Sequence, residues 1–170
     1  MISGFLLVGG AGSRMGGAKA TRLFAGRPLW SYGYDLLGSF CQEVRLVGRC
    51  AELDLPQLVE EAPGLGPLGG IVAALKTART DWNFILALDY PLLDQAFVSS
   101  LGIPQSGLAR LPRCGRQKHP LCGFYHRGAA DRLEARGSVV RALEGLAVEW
   151  VDFGEDPRFL NVNYVEDLQR

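Results

Sequence analysis

The chain has 170 residues, enough for one domain with a sizeable core and short for two. Its 18 basic side chains balance 18 acidic ones, which excludes the strongly basic footprint of a nucleic-acid binder. No apolar run reaches the roughly eighteen residues of a membrane span, and the N-terminus lacks a basic signal-peptide region, so a cytoplasmic protein with no membrane partner is expected. Cys41, Cys50, Cys114 and Cys122 show no CxxC pairing and complete no zinc pattern with His119 and His126, so they are expected to be free thiols.

In chain order, Phe5, Leu6, Leu7 and Val8 form a short apolar run that predicts a buried strand. It empties into Gly9 to Lys19, GGAGSRMGGAK, where Gly9 and Gly10 open a loop whose backbone N–H groups can crowd an anion, and Arg14 and Lys19 add mobile positive charge. The stretch is not a P-loop, because Lys19 lies between Ala18 and Ala20 instead of within Gly-Lys-Ser/Thr. Nor is it a dinucleotide fingerprint: counted from Gly10, the third glycine position holds Met15, and the acidic residue expected about twenty positions later is absent except for Asp35 in a predicted helix. With its two cations it reads as a polyphosphate cradle between a strand and a helix, or as a glycine-rich turn that only reverses the chain.

That helix is expected from about Pro28 to Phe40, with Trp30, Tyr34, Leu36, Leu37 and Phe40 as its core face. Val44, Leu46 and Val47 predict a second strand, and Gln57 to Val59 a brief third one. The segment from Glu60 to Ile71, EEAPGLGPLGGI, crowds glycine and proline into a strand-to-helix passage. It reads as a second loop in close approach to a ligand, or as a long connection whose helix starts at Pro67. Asn83 to Leu88 is an apolar strand that ends on Asp89, just before the chain-redirecting Pro91. A hard oxygen ligand beyond the carboxyl end of a strand is what magnesium on substrate phosphates needs, whereas an Asp before a helix starting at Leu93 or Asp94 could instead be a cap.

Gly107 to Leu111 and Pro120 to Tyr125 predict strands flanking a basic turn, Arg113 to His119, which either faces an anionic second substrate or is solvated surface. On its own, His119 reads as a polar loop residue. Helices are expected over Gly128 to Arg136 and Val139 to Leu143, and a late strand over Val148 to Phe153. Near the C-terminus, Asn161 and Asn163 alternate on an extended segment, where paired amides can meet a ligand or build a turn. Alternating strand and helix signals predict an α/β sandwich around a mostly parallel sheet.

Taken together, these segments resemble the molybdenum cofactor guanylyltransferases, the molybdopterin-guanine dinucleotide biosynthesis protein A family, along nearly the whole chain. LVGGAGSRMGGAK resembles the family's opening signature, FAGRPLW its following turn, PGLGPLGGI its second loop and LALDYPLL the strand carrying its metal Asp. HPLCGFY and FLNVNYVEDL resemble its two later motifs. The resemblance implies a single-domain, three-layer α/β/α nucleotidyltransferase fold over residues 1–170, with one antiparallel strand in an otherwise parallel sheet. It also implies the reaction, in which a molybdopterin phosphate attacks the α-phosphate of GTP and pyrophosphate leaves.

By that resemblance the nucleotide lies against Leu7, Val8, Gly9, Gly10, Lys19, Glu60, Gly66, Pro67 and Asp89. Arg14 and Lys19 act on the phosphates, Asp89 holds magnesium, and Asn161 and Asn163 lie on the pterin side. The partners implied are GTP and molybdopterin, with molybdoenzymes or other cofactor-biosynthesis proteins as downstream recipients. The chain departs from the family at Ala18, where Asp is usual before the lysine, at Glu60, where Asp is common, and at Arg49, where Asn is expected. Arg14 and Lys19 also stand one residue closer than in the longer form of the loop, and Arg136 and Arg141 compete for a family arginine near Gly137. These departures bear on base selectivity more than on phosphate binding and leave two alternatives: a CTP- or sugar-phosphate-using transferase of the same fold, and a non-catalytic nucleotide-binding relative.

Overall fold

A computed structural model describes residues 1–9, 19–58, 66–133 and 138–161. Among the described residues the strand β1 (Ile2–Leu7) is followed by a 3-10 turn at Lys19–Thr21, the small hairpin of β2 (Leu23–Phe24) and β3 (Arg27–Pro28), and helix α1 (Leu29–Gly38). Next come β4 (Glu43–Val47), β5 (Gln57–Leu58), α2 (Pro67–Thr77), β6 (Trp82–Ala87) and α3 (Gln95–Leu101). The chain continues through β7 (Ala109–Cys114), β8 (Gln117–Lys118), β9 (Cys122–His126), α4 (Val139–Ala142) and β10 (Val148–Asp152).

Among the described residues the main sheet has eight strands in the order β10-β7-β9-β6-β1-β4-β5, with β8 paired outside that path to β7. β1 lies parallel to β4 and β6, and β10 parallel to β7, whereas β9 runs antiparallel to both of its neighbours. This is the expected mostly parallel sheet with one reversed strand on its main path. The ends of β1, β4, β5, β6, β7 and β10, together with the start of β9, therefore share one edge, where open α/β sheets place their ligands.

β1 sits in the middle and is apolar on both faces, as a strand covered by helices on each side must be. Leu6 and Val8 enter one core with Leu36 and Leu37 of α1 and Phe97 and Leu101 of α3. Phe5 and Leu7 enter the other, with Leu68, Ile71 and Leu75 of α2 and Val139 of α4. The helix–sheet spacing on the first face is short. A Cβ at Gly33 of α1 would stand 2.6 Å from Leu6 Cδ1, so any larger residue there would have to push that buried side chain aside. At the opposite, amino edge, buried Ser3 and Asn83 are satisfied through Thr80, whose Oγ1 lies 2.9 Å from each.

The predicted helices hold to within about two residues of their expected ends. The exception is the segment after β9, where a helix was expected from Gly128 to Arg136. Arg127 N–H donates to Asp81 O at 2.7 Å and His126 Nδ1 accepts from Gly128 N, which gives a 3-10 turn at Arg127–Ala129. A single α-type bond, Leu133 N to Ala129 O, closes its described part, and residues 134–137 lie outside the described residues. The basic turn is a tighter hairpin than expected, because Gln117–Lys118 pair back on β7.

At the carboxyl edge the exits of β1 and β4 pack glycine on glycine. A Cβ on Gly48 would lie 2.4 Å from both Gly9 N and Gly9 Cα, and Gly48 has φ +105, a backbone conformation that side chains resist. Gly48→Ala should therefore destabilise the fold by about 2 kcal/mol or more. Gly38→Ala at the end of α1, where an added Cβ meets nothing within 4 Å, should stabilise it by up to about 1 kcal/mol. Urea unfolding of the two variants against the parent checks both signs.

Candidate active site

The main chain at the edge is tightly held. Val8 N and Gly9 N both donate to Val47 O, at 2.8 and 3.3 Å, and Gly48 N donates to Leu58 O at 2.8 Å. Leu7 and Val8 bury their side chains on opposite faces of the sheet, so what they present at the edge is backbone. Gly9 is exposed there. Gly66 precedes α2 with φ +59 and Pro67 opens the helix, so the N–H groups of the first turn of α2 point towards the same edge.

Lys19 and Asp89 converge although seventy positions separate them. The Nζ of Lys19 donates to Oδ1 of Asp89, and both side chains are about one-fifth exposed, at 19% and 24%. Their meeting follows from the pairing of β1 with β6, in which Leu7 stands beside Ala87, so the segments leaving these strands emerge side by side. The result is a partly screened cation and carboxylate at the mouth of the sheet. Among the described residues no cluster of three or more His, Cys, Asp and Glu gathers to cage a metal. A lone carboxylate is nevertheless the donor set that suits magnesium, which keeps its waters and takes substrate phosphates as its other ligands. Of the remaining expected site residues, Gly10, Arg14, Glu60 and Asn163 lie outside the described residues.

On the other side of Asp89 the structure adds residues that sequence reasoning did not single out. Tyr90 is 6% exposed and its Oη lies 3.2 Å from Nδ1 of His119, itself 2% exposed. His119 is the loop residue expected, between β8 and β9, but it is buried in the core instead of solvated. Burial lowers its pKa and keeps the imidazole neutral, and the same cause raises the pKa of the Tyr90 phenol. The ring of Phe159 lies 4.6 Å from that of His119 and 6.4 Å from that of Tyr90. Phe159 also packs edge-on against Phe97 of α3.

Arg158 fixes this tail segment. It donates to Asp94 Oδ1 at 2.8 Å and to Asp156 Oδ2 at 2.6 Å, while Asp94 also caps α3 by accepting from Phe97 N at 2.7 Å. The cap bond and then Arg158 hold the Asp94 carboxyl below the usual carboxylate range. Asn161 follows two residues after Phe159 and is half-buried, and its Oδ1 is buried with no hydrogen-bond partner. The basic hairpin is tied into the chain: Arg113 Nε lies 3.4 Å from Asp152 Oδ2, and Lys118 Nζ sits 4.9 Å from the Trp150 ring centroid.

A mostly parallel sheet whose central strands deliver glycine backbone, a lysine and a carboxylate to one edge has the parts of a phosphate-binding site in an α/β fold. The chain belongs to the MobA-like NTP transferase family, whose domain model matches residues 4–147. It is 33% identical over 185 aligned positions to the molybdenum cofactor guanylyltransferase of Cereibacter sphaeroides, covering 99% of this chain and 94% of that one. It is 31% identical to the enzyme of the same name from Serratia proteamaculans, covering 99% and 93%. Its fold matches the crystal structure of molybdopterin-guanine dinucleotide biosynthesis protein A from Archaeoglobus fulgidus, with a TM-score of 0.81 at 24% identity over 99% of this chain and 95% of that one.

The buried neutral imidazole gives the fold a pH signature. The unfolded chain protonates His119 near pH 6.5, whereas the folded chain, with its lowered pKa, resists protonation. The unfolded state binds more protons below that pH, so this part of the stability is complete above about pH 6.5 and is lost as pH falls. The slope is at most about 1.4 kcal/mol per pH unit. Chemical denaturation between pH 7.5 and 5 should show this decline, and His119→Phe should flatten it.

Proposed function

We propose that the protein transfers GMP from GTP to molybdopterin, releasing pyrophosphate and forming molybdopterin guanine dinucleotide. The observation that carries this is the convergence of Lys19 and Asp89 beside the Gly9 backbone, in a chain whose full-length relatives bear the name of that activity. The phosphate of molybdopterin is already anionic, so the reaction needs no general base and depends on placement and charge. The first turn of α2 offers N–H groups to the triphosphate, Gly9 leaves room for the phosphates beside the backbone, and Lys19, with Arg14 of the glycine-rich loop, offsets charge that grows on the departing pyrophosphate. Asp89 would hold magnesium, which when bound supplies Lewis-acid neutralisation of the reacting phosphates. Glu60 and the β4–β5 side of the edge serve the base, and Asn161 and Asn163 serve the pterin. The setting is cytoplasmic, and the product passes on to molybdoenzymes or other proteins of cofactor assembly.

The direct test is transfer of label from α-labelled GTP to molybdopterin under anaerobic conditions, with CTP and ATP in parallel arms. Label should move from GTP in a magnesium-dependent manner, and preferential use of CTP would assign the chain to cytidylyl transfer instead. Asp89→Ala should lower kcat at least about 100-fold. Its melting temperature should fall modestly, with the fold kept, because Lys19 loses a carboxylate in a pair only about one-fifth exposed. Full activity in that variant would remove Asp89 from the site.

A further inference from the structure

Lys19 and Asp89 are each wanted elsewhere by the proposed reaction, the first on phosphate and the second on a divalent cation, yet in the structure they satisfy one another. The two partners are not held alike. Asp89 stands between Leu88 and Tyr90, both 6% exposed, so its main chain is pinned and its carboxylate sits on a rigid base. Lys19 opens the 3-10 turn Lys19–Thr21, where buried Ala20 and the bond from Arg22 N to Lys19 O at 3.2 Å fix its main chain, but its ammonium rides on a flexible four-carbon stem. Arg158 is the contrast, since its planar fork spans Asp94 and Asp156 and ties down a segment. A compact ammonium with three rotatable donors can change acceptors without moving the chain.

Electrostatics then sets how the site can fill. A carboxylate already neutralised by an ammonium offers a bare divalent cation no net charge, and the cation must also approach the positive charge of Lys19. Magnesium sheds its waters reluctantly, and one shared carboxylate is a small return for doing so. A triphosphate changes both terms. Its oxygens can take the ammonium, and they bring further anionic ligands for the metal.

We propose that the Lys19–Asp89 pair is an internal latch, which keeps a free divalent cation off Asp89 and opens to a nucleoside triphosphate, to whose oxygens Lys19 transfers. This rests on the edge being the site of a metal-bound nucleotide, as proposed above. No covalent bond changes in the exchange: Lys19 trades one anion for another, and Asp89 is uncovered as it does so. Metal and nucleotide affinities are thereby coupled, and each tightens the other by the same factor.

The latch gives one substitution opposite effects on two ligands. Mn2+ serves as the metal probe, its binding read from loss of the free-ion electron paramagnetic resonance signal without nucleotide, and calorimetry measures affinity for Mg-bound GTP. Lys19→Met should tighten Mn2+ binding at least about tenfold, because the positive charge beside the carboxylate is gone. The same variant should weaken Mg-bound GTP at least about tenfold, through the lost charge-assisted contact to phosphate. Lys19→Arg should leave Mn2+ as weakly bound as in the parent, and adding Asp89→Asn to Lys19→Met should erase the gain. Mn2+ affinity unchanged or lower in Lys19→Met, a gain that survives Asp89→Asn, or Mg-bound GTP held as tightly as by the parent would each overturn the proposal. Should Lys19→Met fail to fold, Lys19→Gln, which keeps a donor but no charge, puts the same question, and unchanged Mn2+ affinity in it is equally decisive. A parent that prefers CTP to GTP refutes GMP transfer, a result that the nucleotide-free Mn2+ arm keeps separate from the latch.

Discussion

The parallel pairing of β1 with β6 is the constraint on which the site depends. Lys19 and Asp89 have no chemistry in common while they are seventy positions apart. Register makes them neighbours: Leu7 beside Ala87 places both strand exits at one point on the edge, and the Lys19–Asp89 ion pair forms there. Little net stability comes from a pair whose attraction is offset by the water both charges give up at about one-fifth exposure. The apolar packing on both faces of β1 provides the stability of this part of the fold.

Glycine at Gly33, Gly9 and Gly48 has a related purpose. At each place a side chain would force apart elements that now touch: α1 from β1 at Gly33, and the exits of β1 and β4 from one another at Gly9 and Gly48. The first keeps the helix layer close to the sheet. The other two narrow the edge where a polyphosphate would meet backbone instead of side chain.

Much of this was legible beforehand, for physical reasons that differ from place to place. β1, β6 and α2 announce themselves because buried strands must be apolar and because a helix beginning at Pro67 follows a rule of local geometry. Lys19 and Asp89 could each be named from residue type and position after a strand, though not their contact, since one sequence carries no distance between remote segments. The burial of His119 was not legible because it arises from Tyr90 and Phe159, thirty to forty positions away. The Arg158 bridge from Asp156 to Asp94 was likewise hidden, since its partners meet only after the sheet is assembled. Over residues 128–133 the helix expected after β9 gives way to a 3-10 turn, with Arg127 N–H anchored on Asp81 O, a partner 46 positions back that propensity does not see.

The reversed strand β9 divides the edge by origin. Everything on the β1 side arrives as chain leaving a strand, so its geometry is set by how loops depart from the sheet. His119 arrives as chain about to enter one, at the end of the β7–β8 hairpin. Chain leaving strands and chain entering one are thereby parts of the edge that can vary independently. Lengthening or trimming the hairpin would reshape the β9 side of the edge while leaving the strand exits of β1 and β4 untouched. A single antiparallel strand is thus a partition: one flank of the edge can change while the other is kept.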